Sequence, residues 1–215
     1  MTALKEKLSD DEIKPNNLAL VGRSAGAHLA LLYGYTRNNP LALSYGINDD
    51  SPIDVKLIVA DVGPTDATAA ADFFVDTMWT DIPGRAHALL SCLLGAEVPV
   101  TDWNAIPVNI LELLEKVSPV SYVTEYSPPT LLRYTENDNM VPASQGDKLK
   151  DKLEDCYNKV EDVDFNLFPF KESPHRLDFD GIPSGISDEE LERYQDYWAK
   201  YDWYFDEYMI EDPED

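Results

Sequence analysis

The sequence predicts an α/β domain built on a parallel sheet. Short apolar runs end in glycine or proline, and helix-like stretches lie between them. With 215 residues, the chain is also long enough to bury one core. Strands that alternate with helices in this way pair in parallel through right-handed crossovers.

The elements follow in order. Asn17 to Gly22 (NLALVG) is an apolar run closed by glycine, a buried strand. Ala25 to Tyr35 is rich in alanine and leucine and reads as a helix. Val55 to Val62 (VKLIVADV) is a second strand, stopped by Gly63-Pro64. Thr130 to Tyr134 (TLLRY), introduced by Pro128-Pro129, is a third, and Val163 to Phe168 (VDFNLF) a fourth. The polar stretch Ala143 to Tyr157 is the helix between them. Ala67 to Val117 is too long for a simple crossover. Its helix-like pieces, Ala67 to Trp79, Gly84 to Leu94 and Val108 to Val117, predict a lid inserted over the carboxyl ends of the strands, within a single domain covering 1–215. Asp188 to Tyr208 sets Leu191, Tyr194, Trp198, Tyr201, Phe205 and Tyr208 at helical spacing, a packing stripe, with Ser187 and Glu190 as a capping box.

Charge excludes several function classes. The chain carries 17 basic and 41 acidic residues, a net charge of -24. Nucleic-acid affinity rests on lysine and arginine neutralising phosphates, so no nucleic-acid partner is expected, and an anionic membrane surface is disfavoured alike. Twelve acidic and two basic residues fall between Ser187 and Asp215, which reads as a solvated helix face. No apolar run is long enough for a membrane span, and Met1 to Pro15 lacks an apolar core for a signal peptide, so the expected location is the cytoplasm. Cys92 and Cys156 form no disulfide framework, and no metal-ligand spacing appears. No cofactor is implied.

The stretch that carries chemistry is Leu20 to Leu32, LVGRSAGAHLALL. Gly22-Arg23-Ser24-Ala25-Gly26 is a G-x-S-x-G set between a strand and a helix. A serine on so tight a turn needs small neighbours, and Gly22, Ala25 and Gly26 supply them. The turn lifts the hydroxyl out of the sheet. The following helix start offers the Ala25 N–H to a developing oxyanion. The bland role for Ser24 is a helix N-cap.

A nucleophilic serine needs a base, and the base an orienting acid. Of the three histidines, His28 lies one turn beyond Ser24 on the same helix and is expected to pack beneath the turn. His87 sits in the lid segment without an obvious partner. His175 follows the fourth strand and Asp138 the third, both at the end where parallel sheets place their sites. The order Ser24, Asp138, His175 is the one that goes with this elbow. Asp66 reads as a cap for the helix after it. Phe73, Phe74, Trp79 and Trp103 either line an acyl or aryl pocket or fill the lid's own core.

These segments resemble the esterase/lipase branch of the α/β-hydrolase superfamily, near its hormone-sensitive-lipase-like, acetyl esterase and feruloyl esterase groups. GRSAGAHLALL from Gly22 to Leu32 resembles the family's nucleophile elbow, and DVGPTD from Asp61 to Asp66 the segment after its sixth strand. SPVSYVTEYSPPTLL from Ser118 to Leu132 is similar to the approach to its seventh. Glu136 to Pro142 matches its acid loop, in a register that makes Asp138, and not Glu136, the triad acid. The sequence departs from the pattern at Tyr134-Thr135, where the family has His-Gly, and at Ser173-Pro174, where it has glycine before the histidine.

The resemblance implies an N-terminally truncated α/β-hydrolase fold that keeps the fifth to eighth strands of eight. It implies carboxylic-ester hydrolysis through an acyl-enzyme, slowed because the His-Gly-Gly loop that completes the oxyanion hole has no counterpart. Arylformamidase-like amide hydrolysis is the near variant. The strand at 17–22 would then be an open edge: that of a fragment of a longer esterase, one that pairs with a second copy or a companion chain, or one covered by the N-terminal segment Thr2 to Leu8. The non-enzymatic alternative is an impaired fragment or split subunit that acts by such pairing.

Overall fold

The computed structural model describes residues 17–37, 39–46, 54–69, 84–95, 97–98, 102–136, 138–156, 163–168 and 186–209. The strands are β1 (Asn17–Arg23), β2 (Asp54–Asp61), β3 (Thr130–Thr135) and β4 (Val163–Phe168). The helices are α1 (Ala25–Thr36), α2 (Pro40–Ser44), α3 (Arg85–Leu94), α4 (Val108–Lys116), α5 (Ser144–Cys156) and α6 (Asp188–Met209). The strands form one parallel sheet in the order β1-β2-β3-β4. The four expected strands are all present, each within a residue or two of its expected ends. Among the described residues β1 pairs with β2 alone and is an edge of the sheet.

Two layers cover the sheet. On one face lies α1, close enough that a Cβ on Gly34 would come 2.5 Å from Ile58 Cδ1. Tyr35 reaches across from α1 to Thr130 of β3, with its hydroxyl 2.8 Å from Oγ1. Side chains alternate along a strand, so Asp61 and Arg133 fall on the opposite face, under α6. There Arg133 lies 4.5 Å from the ring centre of Tyr197 and 5.8 Å from that of Trp198. Tyr194, Tyr197 and Tyr204 are the buried residues of α6. The aromatic stripe is therefore a packing face, as its spacing predicts. Its deepest contacts also include Tyr197 and Tyr204, which stand beside the strict stripe.

The helix starts bear out local chemistry. Ser187 N–H donates to Glu190 Oε2 at 2.7 Å and Glu190 N–H to Ser187 Oγ at 3.2 Å, a reciprocal capping box for α6. Asp66 Oδ1 accepts from Thr68 N–H at 3.0 Å and caps the 3-10 turn at Ala67–Ala69. Of the segment expected to form a lid, α3 and α4 are helical, whereas 70–83 fall outside the described residues. No helix among the described residues is long and apolar enough to cross a membrane.

Candidate active site

Ser24 stands between the last residue of β1 and the first of α1, with φ 52° and ψ -123°. A non-glycine residue held there costs of order 1–3 kcal/mol, and such strain gathers at functional sites. Ser24 occupies the N-cap position, yet its side chain makes no capping bond. The capping role is thereby excluded, because an N-cap serine earns its place through that bond. The strain is held by the neighbours. Ser24 N–H donates to the Asp61 carbonyl at the end of β2 (2.8 Å), and its own carbonyl accepts from His28 N–H (3.1 Å). Gly22 permits the turn: a Cβ there would come 2.6 Å from Ala27 N and closer still to the Gly26 carbonyl. Ala25, Gly26 and Ala27 lie in the first turn of α1, where helix geometry leaves N–H groups without an internal acceptor.

Ser24 opens onto a pocket of about 180 Å³. Ala25 and His28 line it from α1, and Pro64 and Ala67 from the segment after β2. Leu89, Leu90 and Leu93 line it from α3, and Met140 and Val141 from the loop after β3. That last loop is shaped by Asp138, which is 7% exposed. Its Oδ1 accepts from Met140 N–H (2.8 Å) and Val141 N–H (2.9 Å). The expected acid thus builds the loop that walls the pocket of the expected nucleophile. Gln145 ties this region to the segment after β2: its Oε1 accepts from Thr65 N–H (3.0 Å) and Asp66 N–H (2.8 Å).

His28 is buried, as its place beneath the turn predicts, but it is more than filler. Its Nδ1 lies 3.0 Å from the Pro64 carbonyl, which can only accept, so Nδ1 carries the proton. Burial holds the imidazole below its ordinary 6.5, with the Pro64 bond opposing in part. Its presence in the pocket wall went unforeseen, because spacing along a helix does not say what lies across from it. The leucines of α3 were unforeseen as pocket residues for the same reason. His87 lies beside Trp103, ring centres 5.1 Å apart, and neither lines the pocket. His175, Phe73, Phe74 and Trp79 lie outside the described residues. The structure therefore brings together Ser24, Ala25 and the Asp138 loop.

A parallel sheet carrying a strained serine elbow between its first strand and helix defines an α/β-hydrolase. The BD-FAE family model matches residues 4–153, and the chain belongs to that family of carbohydrate and feruloyl esterases. Solved structures agree in fold. The acetyl ester-xyloside bifunctional hydrolase of Caldicellulosiruptor lactoaceticus is 19% identical with a TM-score of 0.54, over 94% of this chain and 61% of that one. The carboxylesterase Cest-2923 of Lactobacillus plantarum WCFS1 is 16% identical with a TM-score of 0.53, over 94% of this chain and 64% of that one. A bifunctional GH43-CE protein of Bacteroides eggerthii is 18% identical with a TM-score of 0.50, over 84% of this chain and 23% of that one. The chain thus spans less than two thirds of the length of these structures. No curated protein matches it.

Proposed function

We propose that the chain carries the nucleophile half of a serine esterase active site and cleaves carboxylic esters of small, acetyl or aryl type. Ser24 Oγ attacks the ester carbonyl carbon while His175 takes the hydroxyl proton. Asp138 holds the imidazole in the tautomer that can accept it. The tetrahedral oxyanion is met by the Ala25 N–H at the start of α1. Collapse breaks the bond to the alcohol oxygen, which leaves with the proton from His175. Water then repeats the sequence on the acyl-enzyme and frees the acid. The segment 67–117 serves as a lid, with the leucines of α3 as its inner wall.

The observation that carries this reading is the backbone of Ser24, strained at φ 52° and without a capping bond, at an apolar pocket. Strain of this kind gathers at functional sites, which supports a chemical role for Ser24. Only one oxyanion donor is assigned, and a hole short of one donor loses roughly 10²–10³ in kcat. The chain alone is therefore expected to be a slow esterase. The open edge of β1, where Val21 is 50% exposed, supports a second role: pairing with a strand of another copy or a companion chain.

Exposure of the purified chain to a fluorophosphonate, with the adduct located by mass spectrometry, tests the reading. Labelling at Ser24, abolished in Ser24→Ala, is the expected result. In the same variant ester turnover should fall to background, a loss of roughly 10³–10⁴, since a complete site loses on the order of 10⁶ and this one starts about 10²–10³ lower. A folded, monodisperse sample that stays unlabelled would overturn it. Light scattering before and after labelling reads the pairing role separately.

A further inference from the structure

A line of hydrogen bonds runs from the Asp138 loop to the elbow of Ser24, and one side chain carries its middle. Asp138 Oδ1 takes Met140 and Val141 N–H, and the loop then enters α5, where Gln145 N–H donates to the Pro142 carbonyl at 3.0 Å. Gln145 and Thr65 are both fully buried. Gln145 Oε1 accepts from Thr65 N–H (3.0 Å) and Asp66 N–H (2.8 Å). The Thr65 hydroxyl donates to the Gln145 carbonyl at 2.5 Å, with Oε1 3.2 Å away. One peptide before Thr65, the Pro64 carbonyl takes His28 Nδ1–H at 3.0 Å. His28 N–H in turn donates to the Ser24 carbonyl at 3.1 Å. Thr65 and Asp66 lie between β2 and the 3-10 turn, where neither strand nor helix supplies their N–H groups with an acceptor. Backbone N–H groups can only donate, so the amide atom that faces them is the oxygen. The amide nitrogen is buried and makes no hydrogen bond. Gln145 is therefore held for its oxygen, because an apolar side chain there would leave two buried donors unmet.

We propose that Gln145 is a positioning residue for the Ser24 site. It locks the start of α5, and with it the acid loop at 138–142, to the segment 64–66 on which His28 and the first turn of α1 rest. This rests on the esterase reading above, which gives Ser24 and Asp138 their roles. The two come from loops beyond different strands, and ladder pairing fixes the strands but not the loops past their ends. A catalytic set works only when supporting hydrogen bonds hold its members to a fraction of an ångström. Misplacement by about 1 Å, even from a change remote from the chemistry, can cost on the order of 10²-fold in rate. Gln145 touches neither substrate nor reacting atoms, so its effect falls on the rate of the step at Ser24 and not on binding.

Two readouts on the full-length chain test it. One is fluorophosphonate labelling of Ser24, resolved into a saturating rate and a half-saturating concentration. The other is deuterium uptake by the segment 24–28. Gln145→Met removes the acceptor and keeps the bulk. Leu153→Ala, at a fully buried position of the same helix outside this line, is the control for lost stability, with urea used to bring the two to equal stability. Gln145→Met is expected to lower the saturating rate about tenfold at an unchanged half-saturating concentration. Its uptake at 24–28 should exceed that of the control by about tenfold. Gln145→Glu, which keeps the oxygen, should move both readouts back toward the parent. A parental rate with control-level uptake in Gln145→Met overturns the inference, as does a Gln145→Glu chain no better than Gln145→Met. Should Gln145→Met not fold, Thr65→Val drops the hydroxyl and keeps both backbone bonds. It should show the same split at about threefold, and parental values there overturn the inference. If the parent is not labelled, the esterase reading falls and uptake alone decides. If the parent is labelled and neither readout moves, the inference falls and the esterase reading stands.

Discussion

On the α6 face of the sheet, Arg133 and Asp61 are both buried and held in a two-pronged ion pair, Nε to Oδ1 at 2.9 Å and Nη2 to Oδ2 at 2.5 Å. Tyr197 and Trp198 close over the guanidinium. On the α1 face, only a few residues away, Ser24 and Val62 both sit at positive φ, and His28 Nε2 has no partner. The same residue serves both sides: the Asp61 carboxylate holds Arg133, while its carbonyl holds Ser24 N–H. One face gathers paired charge and aromatic cover. The other gathers strain and an orphaned acceptor. Backbone strain gathers at functional sites, so the α1 face is the one on which chemistry is expected.

The strongest way to break this comparison is to remove the ion pair. Arg133→Met leaves a buried carboxylate without its partner, and such a loss destabilises by about 3–5 kcal/mol. A urea midpoint should shift accordingly, with the slope unchanged. At denaturant-free conditions the folded fraction should still react with fluorophosphonate at the parental rate. A slowed reaction of the folded protein would mean the two faces are not separable.

The converse change strikes the α1 face. A Cβ on Gly63 would come 2.6 Å from Ala27 Cβ and 3.2 Å from His28 N, inside the first turn after the nucleophile. Overpacking of this kind costs roughly 1–3 kcal/mol. Gly63→Ala should therefore cost less stability than Arg133→Met yet slow labelling of Ser24 more, since any relief moves the elbow. If labelling is unaffected, the turn has slack that its contacts do not suggest.

The strands were legible because β1 and β2 are apolar runs that glycine cuts off and β3 is an apolar run that Pro128-Pro129 introduces. The elbow was legible because so few residue types tolerate its backbone. Asp138 stands in the loop after β3 where the pattern sets it, and there its Oδ1 accepts from Met140 and Val141 N–H. The ion pair was not. Asp61 reads as the polar end of VKLIVAD and Arg133 as an interruption of TLLRYT, and only the register Asp61↔Arg133 makes them partners. Register depends on how two distant segments dock, which no local pattern encodes. The pocket was hidden likewise: Leu89, Leu90 and Leu93 are an ordinary apolar helix face until α3 is laid beside Ser24.

The smallest expected effect sharpens the comparison through pH. Burial lowers the His28 pKa from 6.5 in the folded chain, while the unfolded chain keeps an ordinary value. Below pH ~6.5 the unfolded state therefore binds a proton that the folded state refuses. Stability contributed by the neutral, buried ring is full above that point. It is lost as pH falls toward the folded pKa, at no more than roughly 1.4 kcal/mol per pH unit. The raw stability curve will not isolate this, since a chain of net charge -24 also loses self-repulsion as its carboxylates protonate. The difference between parent and His28→Asn does isolate it. The parent should lose ground to the variant from pH 7 to pH 5, by denaturant midpoints. Parallel curves would mean that His28 accepts a proton in place, so that Nε2 is a donor in the folded chain. The contrast between a strained, unsatisfied face and a paired one would then rest on Ser24 and Val62 alone.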